Sequence, residues 1–425
     1  MQPVSMPPFW ESILKGYVKK TFYADTRRKD FADRAEFTEG DYRFFVKGVR
    51  DLSVAFTQER AFLPKNYLNQ KEHRSGYILY FLPVNALKVA TLLDQIPDEI
   101  ILKNQPRRGV EGEAPTALPV EGATRAPMID LTILDVGSGP GTGMLGTMLH
   151  LEKMIRSGKV QKLPVRLRWI LIDQNRQALN DAAALHDLVL FDLRRRYPRL
   201  EISSELKLEA RDLFAGKVSK SVPSADLILC LNVLSELAAN RRRHLLEDLL
   251  GNVLKPAGRL LAMEPALQST TRALMDLHDE LLDRGLGHVH APCLHQAACP
   301  MLQANDRDWC HTYIPWNRPP WIEKIDRLVS IRKDYLKCSY LLLGREAPAR
   351  RETDLWRVVS GPLNSKGKSE RLLCGEAGLP GLLRVCRLDR DESPANAAFD
   401  ALERGDLVRM AKTARVTKET PLRKA

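Results

Sequence analysis

Apolar residues recur at different spacings along the chain, and the change of spacing divides it into regions. Over residues 41–63 and 76–96 they recur every three or four positions, which predicts helices. The second helix should be kinked or restarted at Pro83. Residues 103–127 are rich in Pro, Gly and Ala and have no period, which predicts a linker or a long surface loop. We therefore expect a helical N-terminal region over residues 1–127.

Between residues 129 and 266, short apolar runs alternate with amphipathic stretches. The runs that predict strands are 131–137, 166–173, 202–212, 225–233 and 258–266. The stretches that predict helices end near residue 157 or cover 174–196, 237–254 and 270–286. Strands that alternate with helices are typical of a parallel, doubly wound sheet. The predicted fold class is α/β, with a Rossmann-like domain over residues 128–345.

Residues 287–337 interrupt this alternation and contain five prolines and three tryptophans. A segment this long without secondary structure is usually functional or disordered, and its cysteines favour a functional insertion. Residues 337–344 then predict a strand that completes the sheet. After residue 351, short apolar pieces separated by turn residues predict a small β module of OB-like or barrel type over residues 346–425, with a basic tail.

Composition narrows the class of protein. The chain has 425 residues, of which 44% are apolar and 28% charged, as in globular proteins. Its net charge of +12 favours a polyanionic partner, nucleic acid before membrane, although a basic enzyme fits equally well. The first 20 residues lack the apolar core of a secretion signal, and the early Glu11 and Asp25 are unlike a transit peptide. We expect a monomer in a bacterial cytoplasm, or in the mitochondrial matrix if the host is a eukaryote.

A glycine-rich loop, DVGSGPGTG at residues 135–143, ends the first predicted strand of the sheet. Glycines let the backbone turn tightly and let a ligand approach its N–H groups. Pro140 removes an N–H that a pyrophosphate would need, and the spacing is not GxGxxG. S-adenosylmethionine has no phosphate, so we interpret the loop as its binding site. The loop residues assigned to this cofactor are Asp135, Gly137, Ser138, Gly139, Gly141 and Thr142.

Acidic residues end the next two predicted strands. Asp173 is placed to accept hydrogen bonds from ribose hydroxyls. Asp212 is placed to meet the adenine amino group, with Leu213 or Phe214 beside the ring. Each Asp alone is more often a cap or turn residue. Their order at successive strand ends favours the cofactor.

After the fourth predicted strand of the sheet comes Asn232-Val-Leu-Ser-Glu236. Asn232 could contact the cofactor or orient a methyl acceptor, and Ser235 or Glu236 could hydrogen-bond that acceptor. A structural role is expected first: Ser235 should cap the following helix, with Glu236 in its first turn. No acceptor motif is recognisable, so the sequence leaves catalytic turnover undecided.

Cys293, Cys299, Cys310 and Cys338 supply four thiols from one region. Four thiolates can hold a 4Fe–4S cluster or a zinc ion. No C-x2–4-C knuckle is present, which favours the cluster. His295 or His311 could instead complete a Cys3His zinc site.

RNA contacts are predicted at arginine clusters 194–196, 241–243 and 350–351 and in the basic tail. Aromatic residues near the cysteines could stack on unpaired bases, although packing around a metal explains them equally well. These residues are Trp309, Tyr313, Trp316 and Trp321.

The order YILYFLPVNALKV, DVGSGPGTG, NVLSEL, EPA, CLHQAACPM, DWCH and KCSYLLL resembles the methyltransferase-like assembly factors of the mitochondrial small ribosomal subunit and their bacterial relatives. The resemblance covers roughly residues 65–375. It implies a class I methyltransferase core, binding to small-subunit ribosomal RNA and subunit precursors, and a 4Fe–4S cluster. It also makes Cys338 the least secure ligand, with Cys374 as the substitute.

Three functions follow from these features. The first is a small-subunit assembly or translation factor that binds S-adenosylmethionine and a cluster, with or without turnover. The second is an active ribosomal RNA methyltransferase. The third is a methyltransferase for a small molecule or a protein, with a structural zinc site.

Overall fold

The computed structural model describes residues 2–23, 37–57, 67–97, 128–160, 163–213, 216–349, 353–376 and 381–425. The predicted linker 103–127 lies outside these ranges. The N-terminal helices are α1 (Pro8–Tyr23), α2 (Glu39–Thr57), α3 (Lys71–Gly76) and α4 (Leu82–Leu93). A π-helical turn, Tyr77–Phe81, joins α3 to α4. Pro83 occupies the first turn of α4, directly after the π-helical turn, so the change of helix type lies where a kink or restart was predicted, within a helical stretch that is otherwise continuous.

The continuous helical stretch Lys71–Leu93 is long and apolar enough to cross a membrane by length and composition alone. About 78% of its most apolar window is buried inside the protein. The core helix of a globular domain has the same property, so this feature is weak evidence for a span. Here the stretch packs its α4 part against a helix of the central domain, described next.

The first sheet has nine strands, which are β1 (Val4–Ser5), β2 (Ile129–Val136), β3 (Val165–Asp173), β4 (Ile202–Ala210), β5 (Ala225–Leu231), β6 (Leu254–Pro265), β7 (His288–Ala291), β8 (Thr312–Asn317) and β9 (Tyr335–Gly344). Their order is β1-β8-β9-β6-β5-β2-β3-β4, and β7 also pairs with β9. Strands β2 to β6 are parallel and β9 runs antiparallel to β6. The chain reverses its direction of winding between β2 and β5, the switch point at which such folds bind ligands.

Helices cover both faces of this sheet. They are α5 (Thr142–Arg156), α6 (Arg176–Arg196), α7 (Ala239–Asp248) and α8 (Gln268–Asp283). Because strand side chains alternate between faces, successive residues enter different cores. Ile133 packs in the core on one face and Leu134 in the core on the other. Burial on both faces explains why the central strands are apolar runs. The strand order and helix placement are those of a Rossmann-like α/β domain, as predicted.

The prediction that residues 287–337 lack regular structure is wrong. This segment contains β7, α9 (Pro300–Ala304), β8 and α10 (Pro320–Val329). In β8, Thr312, Ile314 and Trp316 are buried and alternate with more exposed residues, the pattern of a strand with one covered face. The prolines make this alternation hard to recognise in the sequence. In the structure, Pro315 is accommodated in β8 and lies opposite Tyr335 of β9.

The second sheet lies entirely after residue 353. Its strands are β10 (Leu355–Val358), β11 (Leu363–Ser365), β12 (Lys368–Cys374), β13 (Leu382–Leu388), β14 (Leu407–Arg409), β15 (Arg415–Val416) and β16 (Arg423–Lys424). The order is β15-β13-β12-β10-β14-β16, with β11 on β12. Its own core surrounds Trp356 and Phe399. A smaller cluster, which includes Met275 and Val359, packs this sheet against α8 and the 287–337 segment.

Candidate functional site

A cavity of about 600 Å³ lies at the carboxyl ends of the parallel strands, beside the switch point. Its volume is in the range of small-molecule and cofactor sites. The residues assigned to the cofactor that line it are Gly137, Gly139, Asp173, Asp212, Leu213 and Asn232, together with Glu236. Helices of the N-terminal region close the other side, and Tyr77, Phe81 and Lys88 of the YILYFLPVNALKV stretch are among the lining residues. Phe214 lies outside the described residues.

The glycine loop adopts backbone conformations that favour glycine. Gly137, Gly139 and Gly141 have φ values of 68°, 51° and 83°. The N–H of Gly137 donates to the carbonyl of Ile172 at 2.8 Å, which ties the loop to β3. A Cβ at Gly137 would stand 2.2 Å from Cγ2 of Val233, whereas one at Gly139 would meet no atom within 4 Å. The loop is therefore tightly packed at Gly137 and open at Gly139.

Asp173 stabilises the loop directly. Its Oδ2 accepts the N–H of Gly139 at 2.8 Å and its Oδ1 accepts the N–H of Asn175 at 2.7 Å. Burial raises its pKa, and these two hydrogen bonds oppose that shift. A carboxylate has about four acceptor positions, so Asp173 retains capacity for a ligand hydroxyl.

Asp135, Ser138, Gly141 and Thr142 support the loop and are buried. Oδ2 of Asp135 accepts the N–H of Met144 at 3.1 Å. Within the described ranges, the buried Oγ of Ser138 has no hydrogen-bond partner. The Tyr77 hydroxyl lies 3.4 Å from Oγ1 of Thr142 and thereby connects the N-terminal helices to the loop. An orphaned hydroxyl beside an open loop is the environment that a polar ligand would complete.

Asp135 should give the unliganded protein a defined pH dependence. Burial raises its pKa from 3.8 to about 7, so the folded state holds the proton more tightly than the unfolded chain. This contribution to stability is complete below about pH 4 and is lost as the pH rises through 7. Between pH 5 and 8 we expect the wild type to lose about 3 kcal/mol more unfolding free energy than Asp135→Asn. Urea unfolding at both pH values measures the difference, and equal losses would contradict it.

The residues after β5 differ from the sequence prediction. Leu234–Glu236 forms a short 3-10 helix, and α7 begins only at Ala239. Its N-cap is Ala238, which has no capping side chain, so the prediction that Ser235 caps this helix is wrong. Glu236 instead lines the cavity, and Asn232 lines it with an unusual positive φ of 58°. A positive φ at a non-glycine residue is more frequent at functional sites, and no sequence signal marks it.

A second, smaller cavity of about 40 Å³ brings four cysteines together. Cys293, Cys299 and Cys310 come from the 287–337 segment, and Cys374 comes from β12 of the second sheet. His295 also lines this cavity, and its Nε2 lies 3.6 Å from Sγ of Cys374. His311 stacks on Trp309 and is not among the lining residues.

Cys338 lies elsewhere. It is fully buried in β9, packs in the core under the N-terminal helices, and has Lys88 as its charged neighbour. Burial raises its pKa to about 11. The structure therefore groups three of the four cysteines assigned to the metal with Cys374, the substitute, and not with Cys338.

The four clustered thiols influence one another electrostatically. Burial raises the pKa of Cys293, Cys299 and Cys374, and their proximity to neighbouring cysteines raises it further. The buried Arg357 and the half-buried Arg404 oppose this shift at Cys310. Among the described residues, no group of three or more His, Cys, Asp or Glu side chains is arranged so that it could hold a metal ion.

Several residues assigned to RNA are engaged inside the protein. Trp316 and Trp321 are buried, and their indole N–H groups donate to the carbonyls of Lys333 and Leu79. Arg196 pairs with Glu152, and Arg243 pairs with Glu280. Trp309 and Tyr313 are half-buried. The pair 350–351 lies outside the described residues.

The model of the family described as mitochondrial small ribosomal subunit Rsm22 matches residues 199–414, which is just over half of the chain. No curated protein matches. Among solved structures, the mitomycin 7-O-methyltransferase MmcR is 13% identical with a TM-score of 0.32, over 75% of this chain and 71% of that one. The pyocyanin biosynthetic protein PhzM is 14% identical with a TM-score of 0.32, over 73% and 74%.

PKMT2 from Rickettsia typhi, in complex with AdoHcy, is 12% identical with a TM-score of 0.28, over 71% of this chain and 64% of its own, slightly under two thirds. At these scores the fold assignment rests on the strand order described above, not on the solved structures. The family match, in contrast, covers the strands from β4 to β14 and confirms the resemblance seen in the sequence motifs. The protein belongs to the family described as mitochondrial small ribosomal subunit Rsm22.

Proposed function

We propose that this protein is an S-adenosylmethionine-binding, methyltransferase-like factor that acts on the small ribosomal subunit through its RNA. The observation that carries the proposal is the cavity at the switch point, which combines the open glycine loop with carboxylates at the ends of β3 and β4. The family name supplies the ribosomal partner. The net charge of +12 supports contact with RNA phosphates.

The residues around the cavity fit this cofactor. The space beside Gly139 admits the methionine part, and the orphaned Ser138 hydroxyl offers a polar contact. Asp173 has acceptor capacity for the ribose hydroxyls, and Asp212 and Leu213 line the wall expected to meet adenine. When bound, S-adenosylmethionine supplies an electrophilic methyl group. Asn232 and Glu236 line the cavity on the acceptor side of the loop, where they could orient an acceptor.

We also propose that Cys293, Cys299, Cys310 and Cys374 hold a metal centre, a 4Fe–4S cluster before a zinc ion. Four cysteines that line one small cavity supply the number of thiolates that either group requires. Binding would have to draw their side chains together, because no described group is already arranged around a metal position. Thiols with raised pKa values are protonated until a cation stabilises the thiolates. Four thiolates around either group leave a net negative charge, and Arg357 and Arg404 would offset part of it. Such a centre would connect the second sheet to the methyltransferase-like domain.

An active ribosomal RNA methyltransferase is the second candidate. It is favoured by the length of the cavity, which continues beyond the cofactor residues to Lys88 and Lys333. We expect the protein to act in a bacterial cytoplasm, or in the mitochondrial matrix of a eukaryote.

Deletion of the gene distinguishes the two candidates. We expect the tagged protein to co-sediment with small-subunit particles, and RNase treatment of the lysate to release it. Nucleoside mass spectrometry compares small-subunit RNA from the deletion strain and the wild type. The RNA should be unchanged if the protein is an assembly factor, and should lack one methyl group if it is an enzyme. If the protein sediments apart from ribosomal particles at every salt concentration, the ribosomal function is wrong.

A further inference from the structure

The large cavity extends well past the residues assigned to the cofactor. Tyr77 lies beside the glycine loop through its contact with Thr142, and Lys88 follows eleven positions later on the same helical stretch. At 1.5 Å per residue the two positions are about 16 Å apart along the axis. Lys88 has Cys338 of β9 as its neighbour, and Cys338 pairs with Pro265 at the end of β6. We call this part of the cavity, lined by Arg50, Asn85, Lys88, Val329, Ile331 and Lys333, the lysine end.

The two lysines at the lysine end are short of negative partners. The Lys88 ammonium donates to Oδ1 of Asn85 at 3.0 Å, and the Lys333 ammonium donates to the hydroxyl of Tyr80. Among the residues that the structure describes, neither forms a salt bridge with a carboxylate. Asp326 is the carboxylate whose charge acts on Lys333. It already accepts hydrogen bonds from the Tyr80 hydroxyl and, at 2.7 Å, from the Arg318 guanidinium.

Both ammonium groups are partly withdrawn from water, and their charges repel. Burial, with a smaller contribution from the nearby Lys88, lowers the pKa of Lys333 to about 8, and Asp326 opposes this shift. Burial also lowers the pKa of Lys88. Half-buried like charges are unfavourable unless a counter-ion joins them. An anion bound between the two lysines would remove this cost, and Arg50 at the same end would add attraction.

The cavity wall between the glycine loop and the lysine end is aromatic. Phe56, Tyr77 and Phe81 line it, and the rings of Tyr77 and Phe81 lie 5.8 Å apart at an angle of 33°. Aromatic side chains of this kind accept the flat face of a nucleobase. The opposite, cofactor part carries carboxylates from Asp173, Asp212 and Glu236. The cavity is therefore acidic where a cationic cofactor is proposed and basic at its other end.

We propose that the lysine end binds the phosphate of a nucleotide whose base lies against the aromatic wall, next to the cofactor. This inference rests on the proposed function, because it names the class of ligand that shares the cavity with S-adenosylmethionine. The ligand is either a free nucleotide or one nucleotide of an RNA strand, and phosphate recognition is common to both.

Binding of uridine 5′-monophosphate, uridine and hexauridylate to the full chain, measured by calorimetry with S-adenosylhomocysteine present, tests the proposal. We expect the two phosphate-bearing probes to bind about tenfold or more tightly than uridine. The double substitution Lys88→Gln with Lys333→Gln should remove that advantage. The matched control is Lys207→Gln, because Lys207 is exposed on β4 and pairs with Glu209. Tighter binding of hexauridylate than of the mononucleotide would identify an RNA strand, not a free nucleotide, as the source of the bound phosphate.

Acetylation of the wild-type protein by acetic anhydride at pH 8 gives a second readout that needs no variant. Hexauridylate should protect Lys88 and Lys333 but not Lys207, as measured by peptide mass spectrometry. The proposal is overturned if phosphate gives no advantage over uridine, or if the two lysines acetylate equally with and without the strand. Titration of S-adenosylhomocysteine alone tests the cofactor separately. A protein that binds it and shows no phosphate advantage would retain the proposed function and lose this inference.

Discussion

Cys374→Ser should remove the metal from protein purified without oxygen, leaving less than about a tenth of the wild-type content. Cys374 lies on the second sheet and lines the same small cavity as Cys293, Cys299 and Cys310. Without this thiol, one coordination position would be lost together with the connection between the two sheets. We expect the unfolding free energy to fall by more than about 4 kcal/mol, as is typical when a structural metal is lost. Counts of iron, sulfide and zinc on the same sample measure the first effect.

Cys338→Ser is the matched control because it makes the same chemical change at a cysteine outside the cavity. The variant should keep the full metal content. A stability loss of about 1–3 kcal/mol is expected from burying a hydroxyl in an apolar core. Metal loss in Cys338→Ser with retention in Cys374→Ser would show that the ligand set is wrong. If the wild-type protein is colourless and contains one zinc ion, the metal centre is a zinc site and not a cluster.

Two glycine substitutions should separate folding of the loop from binding of the cofactor. In Gly137→Ala, the new methyl group would meet the stiff, buried Val233 at 2.2 Å, in a left-handed backbone conformation. We expect a stability loss of about 3 kcal/mol or more. In Gly139→Ala, the methyl group points into open space beside the cavity, so only backbone strain of about 1 kcal/mol is expected.

Gly139→Ala should weaken cofactor binding much more than it lowers stability. Gly139→Ala should weaken S-adenosylhomocysteine at least about tenfold while the protein stays folded, because its methyl group occupies space proposed for the ligand. Thermal unfolding and calorimetry on the same samples provide both measurements. Wild-type affinity in Gly139→Ala would place the cofactor elsewhere, and wild-type stability in Gly137→Ala would contradict the packing of the loop.

The parallel core was predictable because its physical signal is local. Each central strand is an apolar run buried on both faces, and the first run ends in glycines whose conformations few other residues adopt. Asp173 follows the same logic, since a polar residue at the carboxyl end of such a strand reaches the ligand edge of the sheet.

The features that were missed, or that only the family resemblance indicated, depend on tertiary contacts. Strand β8 contains a proline and is recognisable only beside β1 and β9, with which it pairs. Cys374 sits in an ordinary strand pattern, and only the packing of the second sheet brings it to the other cysteines. Lys88 lies in the YILYFLPVNALKV stretch but was not assigned to a site, Lys333 belongs to no motif, and the two meet because a helix and a distant loop cover the same cavity. The spacing of residues along the chain carries no signal for contacts of this kind.

Above all, we propose that the cavity at the switch point is an S-adenosylmethionine site. Calorimetric titration of the wild-type protein with S-adenosylhomocysteine tests it most directly, with Gly139→Ala as the paired sample. One ligand per chain, with at least about tenfold weaker binding in the variant, is the predicted result. No binding to the folded wild type, or equal binding to both proteins, would contradict the claim.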